Sequence, residues 1–240
     1  MSFRLLFALS LCGFTVCGQQ NKWTKIPLKD LSFFSETGNN WSLSGGAIEN
    51  DADSAVLRTI PGTGTLINHI ITRPGAHLIT RKSFGNLNLS LDFMMARGSN
   101  SGIYLQGRYE VQLYDSWKKM QITYIDCGAI YQRWDTTKPA GHEGFEGNAP
   151  LNNACLPPGV WQHLEISFSA PVFAPDGKKI RNARFSEVKL NGKIVQKNVE
   201  VTGPTRSSLY QDERPDGPIM IQGDHGNLAV RNIKIHQWKE

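Results

Sequence analysis

The chain has 240 residues, of which 40% are hydrophobic and 20% are charged, and its net charge is +5. The length suits one large β domain or two small ones, and a chain of this length can bury a hydrophobic core. The basic residues are scattered rather than gathered into a stripe, which argues against a protein that binds nucleic acid.

Residues 1–18 have the pattern of a secretory signal peptide. Arg4 precedes an apolar run, and small residues follow that run. The run is shorter than the roughly 20 residues that cross a bilayer, so we expect no transmembrane segment. We expect cleavage after Gly18 and an exported protein that is periplasmic, extracellular or attached to the outer membrane. Cys17 leaves a lipoprotein anchor open as an alternative.

Residues 19–240 consist of short alternating or apolar runs that Gly, Pro, Asn and Asp interrupt. No stretch keeps helical spacing for more than about two turns. The pattern predicts a single all-β domain of two packed antiparallel sheets, with few or no helices. The later strands are predicted at Gly102–Gln106, Tyr109–Tyr114, Ile122–Ile125, Gly128–Gln132, Trp161–Phe168, Phe185–Leu190, Lys193–Val199, Pro218–Gln222 and Leu228–Gln237.

The segment SNSGIYLQGRYEVQLYDSW alternates polar and apolar residues on both sides of Gly107. Side chains of a strand alternate between its two faces, so one row enters a core and the other forms a polar surface. Gly107 is expected to mark a turn or bulge between two strands. The polar row has the side chains that bind sugars or move protons, and it consists of Tyr104, Gln106, Arg108, Glu110, Gln112 and Tyr114.

A second polar cluster lies near the end of the chain, in GPIMIQGDHGNLAVRNIKI. It contains Gln222, Asp224, His225 and Arg231. Histidine ionises near neutral pH, and His225 is the best placed of the six histidines for proton transfer. The alternative is that Asp224 and His225 organise a turn through hydrogen bonds to the backbone. Arg108 and Arg231 are open to a similar alternative, as ordinary ion-pair partners of Glu110 or Asp115.

The polar strand does not carry the two carboxylates of a double-displacement glycosidase. Those enzymes place two carboxyl groups about 5 Å apart. Gln112 stands where the second carboxylate would follow Glu110, and Asp115 falls on the opposite face unless a bulge turns it. Direct glycoside hydrolysis by two paired carboxylates is therefore poorly supported.

Two cysteines remain after the signal peptide, Cys127 and Cys155. In an oxidising compartment such a pair most simply forms one disulfide. Two free buried thiols are the alternative. The disulfide would hold the long irregular loop at Trp134–Pro158, which contains three glycines and four prolines and which we expect to be ordered.

Several linked motifs resemble one known family over almost the whole exported chain. The motifs are NSGIYLQGRYEVQLYDS, CGAIYQ, NNACLPPGVWQ, LNGKIV, GPIMIQGDHG and VRNIKI. In this order and spacing they are similar to the secreted bacterial 3-keto-disaccharide hydrolases. The resemblance implies a concanavalin-like jelly roll and a glycoside or oligosaccharide substrate. It also implies that a partner enzyme, a sugar 3-dehydrogenase, has already oxidised the hydroxyl at carbon 3 to a ketone.

A ketone at carbon 3 makes the hydrogen on carbon 2 acidic, so that elimination of the glycosidic oxygen followed by hydration replaces direct hydrolysis. The hypothesis makes Glu110 or His225 the base. Arg108, Arg231 or a bound divalent metal ion stabilises the enolate, and no other cofactor is expected. Tyr104, Gln112 and Gln222 hydrogen-bond the sugar. The matching motif positions are Glu110, Gln112, Asp115, Gln222, His225 and Arg231.

The alternative function is a lectin-like carbohydrate-binding module without catalysis, because one fold serves both roles. A structural envelope protein is a third option. An enzyme needs Glu110 and His225 as ionisable groups, whereas a binding module tolerates Glu110→Gln and needs only aromatic and amide side chains.

Overall fold

The computed structural model describes residues 22–36, 38–70 and 75–239. The predicted signal peptide and Cys17 lie outside these ranges. Within them every regular element is a β-strand, so the all-β prediction is confirmed. The described part contains no helix that is long and apolar enough to cross a membrane.

The described residues form seventeen strands, which are numbered here in chain order. They are β1 (Thr24–Lys25), β2 (Phe34–Glu36), β3 (Trp41–Glu49), β4 (Leu57–Asn68), β5 (Leu78–Phe84), β6 (Leu87–Met95), β7 (Asn100–Leu105), β8 (Tyr109–Tyr114), β9 (Arg133–Trp134), β10 (Gly144–Phe145), β11 (Gln162–Ser169), β12 (Val172–Phe173), β13 (Lys179–Arg181), β14 (Ala183–Leu190), β15 (Lys193–Val201), β16 (Gly217–Ile221) and β17 (Leu228–Gln237).

Two antiparallel sheets contain most of these strands. The sheet called the back sheet here has the order β15-β14-β11-β6-β17-β4-β3, and β1 also pairs with β17. The front sheet has the order β2-β5-β16-β7-β8. The pairs β9–β10 and β12–β13 form two small ribbons. The molecule is a jelly-roll β-sandwich, as the sequence resemblance implied.

The core fills the space between the two sheets. Leu89, Leu91 and Phe93 of β6 contribute from the back sheet, and Ile103 and Val111 contribute from the front sheet. Each of these side chains is at most 1% exposed. Burial of one such side chain stabilises the fold by roughly 1.5 to 3 kcal/mol. The alternation predicted for β7 and β8 is therefore confirmed on its apolar side.

One predicted strand is wrong. Ile122–Ile125 forms a turn, because the Asp126 carboxylate accepts a hydrogen bond of 2.6 Å from the backbone of Thr123. Side-chain acceptors of this kind compete with strand pairing. The predicted strand at Gly128–Gln132 is reduced to a bridge at Ile130, which pairs with Val111 and with Asn148.

Candidate active site

The polar row of the β7–β8 hairpin faces away from the core between the sheets. The prediction that this row forms an exposed surface is wrong, because Tyr104, Glu110 and Gln112 are buried. The register of the hairpin places Tyr104 opposite Glu110 and Gly102 opposite Gln112. Because the intervening residues fill the core, these four positions share the opposite face. The sequence pattern thus places the Glu110 carboxylate and the Gln112 amide side by side.

Glu110 occupies space that only a glycine at position 102 leaves open. A Cβ atom at that position would collide with Oε1 of Glu110. The Gln112 amide is oriented so that its nitrogen faces acceptors. This nitrogen donates to Glu110 Oε1 at 3.1 Å and to Ser101 O at 2.7 Å. The carboxylate is therefore held against the sheet from two sides.

Burial controls the protonation of Glu110. The residue is 2% exposed, and this desolvation raises the pKa of its carboxyl group to about 8. A hydrogen bond from Tyr104 lowers the pKa, and the nearby charge of Asp224 raises it. A carboxylate with a pKa this high is a much stronger base than an ordinary glutamate, and such shifts are typical of catalytic groups.

Tyr104 pairs with Glu110 across the hairpin and is 1% exposed. Its hydroxyl donates to the backbone carbonyl of Arg206 at 3.1 Å and also hydrogen-bonds to Glu110. A phenol has one hydrogen, so it can donate to only one of them at a time. Burial and the Glu110 charge raise the pKa of Tyr104 well above its ordinary value, so this hydrogen stays on the phenol. Tyr104 is a positioning residue for Glu110.

Asp224 lies close enough to Glu110 for its charge to raise the Glu110 pKa, and His225 contacts Asp224. His225 Nδ1 is 2.6 Å from Asp224 Oδ1 and 3.5 Å from the Gln222 amide nitrogen. His77, which the sequence analysis did not select, lies 3.9 Å from the same carboxylate oxygen and accepts a hydrogen bond from the Gly223 backbone through Nδ1. The structure thus groups Gln222 and His225 with Asp224, whose charge reaches Glu110; their roles in the reaction stay predictions.

Gln222 has an acceptor that points to a ligand. The residue is 6% exposed, and its Oε1 atom is buried without a hydrogen-bond partner among the described residues. Leaving such an acceptor unpaired costs about 1 to 3 kcal/mol. A sugar hydroxyl that donates to Gln222 Oε1 would remove this cost.

Tyr131 lies close enough to Glu110 to be affected by its charge, and it groups with Arg206 and Trp134. The Tyr131 backbone donates to Glu110 O at 3.2 Å, and its phenol hydrogen-bonds the Arg206 guanidinium. Arg206 lies 3.6 Å from the centre of the Trp134 ring. Burial raises the pKa of Tyr131, and Arg206 partly counteracts this shift. The arrangement offers a proton donor with a cation beside it.

Comparison with known proteins gives the family. Residues 29–236 match the 3-keto-alpha-glucoside-1,2-lyase-like domain. The chain belongs to this family. No protein of curated function matches it significantly.

Solved structures agree on the fold. Two proteins from Parabacteroides distasonis ATCC 8503, provisionally described as glycosyl hydrolases, superpose with a TM-score of 0.55 each. The first is 24% identical, with 86% of this chain and 82% of that chain covered. The second is 22% identical, with 91% and 100% covered. Family membership identifies a carbohydrate-processing enzyme, and the superpositions support the sandwich.

In this member of the 3-keto-glucoside lyase-like family, Arg108 is engaged away from Glu110. Its guanidinium pairs with Asp212 at 2.7 Å, donates to Gln106 O at 2.8 Å, and lies over the Tyr210 ring. Gln106 and Gly107 make the hairpin turn with φ angles of 56° and 65°. Arg108 thus fastens the turn to the segment that precedes β16. It is an ion-pair residue, but its partner is Asp212 rather than the Glu110 or Asp115 that the sequence suggested.

Arg231 and Asp115 are also separate from the site. Arg231 belongs to the back sheet, where it lies 3.5 Å from Asp92 and stacks on Trp161. Asp115 follows β8 and accepts a hydrogen bond of 2.9 Å from the Gly98 backbone. We therefore give neither residue a part in the chemistry proposed below.

Cys127 and Cys155 are neighbours, as the sequence predicted, but both thiols are free in the structure. Their mutual hydrogen bond lowers the pKa of Cys155 to about 7, and this bond together with burial raises that of Cys127. The structure therefore places the two thiols side by side, and the disulfide between them stays a prediction.

Among the described residues, the divalent ion that the sequence left open has no matching donor set. Across residues 22–36, 38–70 and 75–239, no three His, Cys, Asp or Glu side chains are arranged to hold a metal. Asp224 is instead hydrogen-bonded to His225. We assign no step of the reaction to a metal ion.

Proposed function

We propose that the protein cleaves 3-keto glycosides and 3-keto disaccharides by elimination followed by hydration. The observation that carries this proposal is the buried Glu110, whose pKa of about 8 suits the removal of an acidic C–H hydrogen near neutral pH. Membership of the 3-keto-glucoside lyase-like family supports the substrate class.

In the proposed reaction, ionised Glu110 removes the hydrogen from carbon 2. The negative charge that forms on the oxygen at carbon 3 is stabilised by His225 and by the amide of Gln222. The phenol of Tyr131, beside the Arg206 cation, gives its proton to the glycosidic oxygen as the bond to carbon 1 breaks. Arg206 then stabilises the phenolate.

Hydration reverses these proton transfers. The oxygen of a water molecule adds to carbon 1 of the enone, and one water proton returns to Tyr131. Glu110 gives its proton back to carbon 2. The net result is hydrolysis of the glycosidic bond, and both side chains return to their starting states.

A second candidate is direct hydrolysis by two carboxylates. Asp224 is close enough to Glu110 for its charge to raise the Glu110 pKa. Many glycosidases pair a carboxyl group whose pKa is raised, and which is therefore protonated, with a second carboxyl group that is ionised. In that reaction Glu110 would be the acid, and an unoxidised glycoside would be the substrate.

The test is to incubate the purified protein with a 3-keto disaccharide or with its unoxidised parent and to measure the free sugar released. We expect release from the keto compound alone and loss of most turnover in Glu110→Gln. The matched control is Glu187→Gln, which removes a carboxylate that pairs with Lys189 on the back sheet and should keep full activity. Release from the unoxidised parent would contradict the proposal in favour of two carboxylates, and binding without release would favour the lectin-like module.

A further inference from the structure

His77 lies beside the candidate active site but has no role in the reaction proposed above. It immediately precedes Leu78, the first residue of β5, whose side chain is in the core. Side chains alternate along an extended chain, so His77 faces the same side as the polar row of the β7–β8 hairpin. The pairing of Leu78 with Ile221 then sets His77 next to Gln222, the residue whose buried acceptor points to a ligand.

A single row of the front sheet joins His77 to Glu110. The Gln222 backbone donates to Gly102 O at 2.9 Å, and the Glu110 carboxylate lies in the space that Gly102 leaves open. Neighbouring strands lie about 4.8 Å apart, so two such steps, roughly 10 Å, separate the backbones of His77 and Gly102. Asp224, whose carboxylate is 3.9 Å from His77 Nδ1, also raises the Glu110 pKa. An imidazole and a carboxylate at the two ends of such a row can contact opposite sides of one sugar ring.

A backbone hydrogen bond fixes the tautomer of His77. The Gly223 N–H donates to His77 Nδ1 at 3.2 Å, so this nitrogen presents its lone pair and carries no hydrogen. The same nitrogen is 3.9 Å from Asp224 Oδ1, which is too far for a hydrogen bond. In a neutral imidazole whose Nδ1 is an acceptor, the one ring hydrogen is on Nε2. Neutral His77 is therefore a hydrogen-bond donor through Nε2.

His225 has the opposite tautomer. Its Nδ1 is 2.6 Å from Asp224 Oδ1, and a carboxylate can only accept, so the ring hydrogen of neutral His225 is on Nδ1. His225 can therefore donate from Nε2 only when its ring is a cation. Glu110 is ionised mainly above its pKa of about 8, where few imidazoles keep a second proton. The ionised base therefore needs a partner that donates without a charge.

We propose that neutral His77 is a catalytic residue whose Nε2–H group donates a hydrogen bond to the oxygen at carbon 3 of the keto sugar. The proposal rests on the proposed elimination reaction and adds a donor to those already named. As Glu110 removes the hydrogen from carbon 2, the electron pair of that bond forms a double bond to carbon 3, and the carbonyl electrons move onto the oxygen. The hydrogen stays on His77, and its bond to the oxygen strengthens as this charge develops. Expulsion of the glycosidic oxygen then restores the carbonyl group.

Two substitutions separate this role from a structural role of His77 at Gly223. Asparagine places its amide near the position of Nδ1, so His77→Asn keeps an acceptor for the Gly223 N–H but has no donor at Nε2. Glutamine reaches the position of Nε2, so His77→Gln keeps a neutral N–H donor there but loses the bond to Gly223. For a 3-keto disaccharide, we expect His77→Asn to lower kcat about one hundred- to one thousandfold, as for the loss of an oxyanion donor, and His77→Gln to keep kcat within about tenfold.

His163→Asn is the matched control, because this histidine is bonded to Asp92 on the back sheet and should keep full activity. Equal activity in the two His77 variants, or the opposite order, would overturn the role of His77 while the active native protein still supports the reaction.

A native protein that releases no sugar would contradict the proposed reaction itself. Nitrogen NMR of the protein with methyl 3-keto glucoside then decides the role of His77 separately. A shift of the His77 Nε2–H resonance on binding would support the donor, and an unchanged resonance would contradict it.

Discussion

Two neighbours shift the Glu110 pKa in opposite directions. The charge of Asp224 raises it, and the hydrogen bond from Tyr104 lowers it. Burial changes the Glu110 pKa more than either neighbour does. The pH dependence of the reaction is therefore set by residues that can be changed one at a time.

Asp224→Asn and Tyr104→Phe should move the pH profile of kcat/KM in opposite directions. A general base works when ionised, so activity rises with pH through the Glu110 pKa of about 8. Asp224→Asn lowers that pKa and moves the rise to lower pH, whereas Tyr104→Phe moves it to higher pH. Asp176→Asn, in an exposed turn, is the control and should keep the original profile. A shift of both variants in the same direction would show that another group titrates.

At the scale of the strand, periodicity made the hairpin predictable. The alternation of SNSGIYLQGRYEVQLYDSW predicts β7, β8 and the shared face of Glu110 and Gln112, since each depends only on local chain geometry. The alternation does not reveal where Arg108 points, because its partner Asp212 comes from a loop more than one hundred residues later.

The sequence pattern could not predict which loop residues join the site. His77, Tyr131 and Arg206 come from segments outside the strands. His77 lies beside Asp224, and Tyr131 lies between the charges of Glu110 and Arg206, only when the sandwich closes. The single available signal was Tyr131, which lies within the motif CGAIYQ. Long-range packing of this kind has no periodicity that a sequence could show.

The neighbouring Cys127 and Cys155 predict a disulfide after export. Two-electron oxidation of both thiols by a disulfide exchange partner would close the loop between them and stabilise the fold by about 3 kcal/mol. Thiol labelling of the denatured, unreduced protein from an oxidising compartment should find neither cysteine free. Reduction should lower the Tm of this protein but not that of the double variant C127S/C155S. Two labelled thiols would instead establish the reduced pair as the native form.

For the whole molecule, the buried Glu110 lowers stability near neutral pH. Its pKa is raised from 4.5 to about 8 in the folded state, so the folded protein binds this proton more tightly than the unfolded chain. The resulting stability is fully present below pH 4.5 and is lost as the pH rises toward 8. At pH 7 the loss amounts to about 3 kcal/mol.

Glu110→Gln should therefore be more stable than the native protein at pH 7 and similar to it near pH 4. The expected rise in Tm at pH 7 is roughly 6 to 12 °C for a chain of this size, measured by calorimetry at both pH values. Glu187→Gln, which changes an ion pair on the back sheet, should alter the Tm little at either pH. A lower Tm for Glu110→Gln at pH 7 would mean that the carboxylate contributes net stability.

The absence of a side chain at Gly102 can serve to sort other sequences. Gly102, Tyr104 and Glu110 form the spacing G-x-Y-x5-E, in which the first residue leaves room for the carboxylate of the last. A related chain that retains the glutamate but has a larger residue at the first position must direct its carboxylate elsewhere. The nine residues that correspond to 102–110 therefore divide related chains into two groups. One group can hold this base, and the other needs a different base.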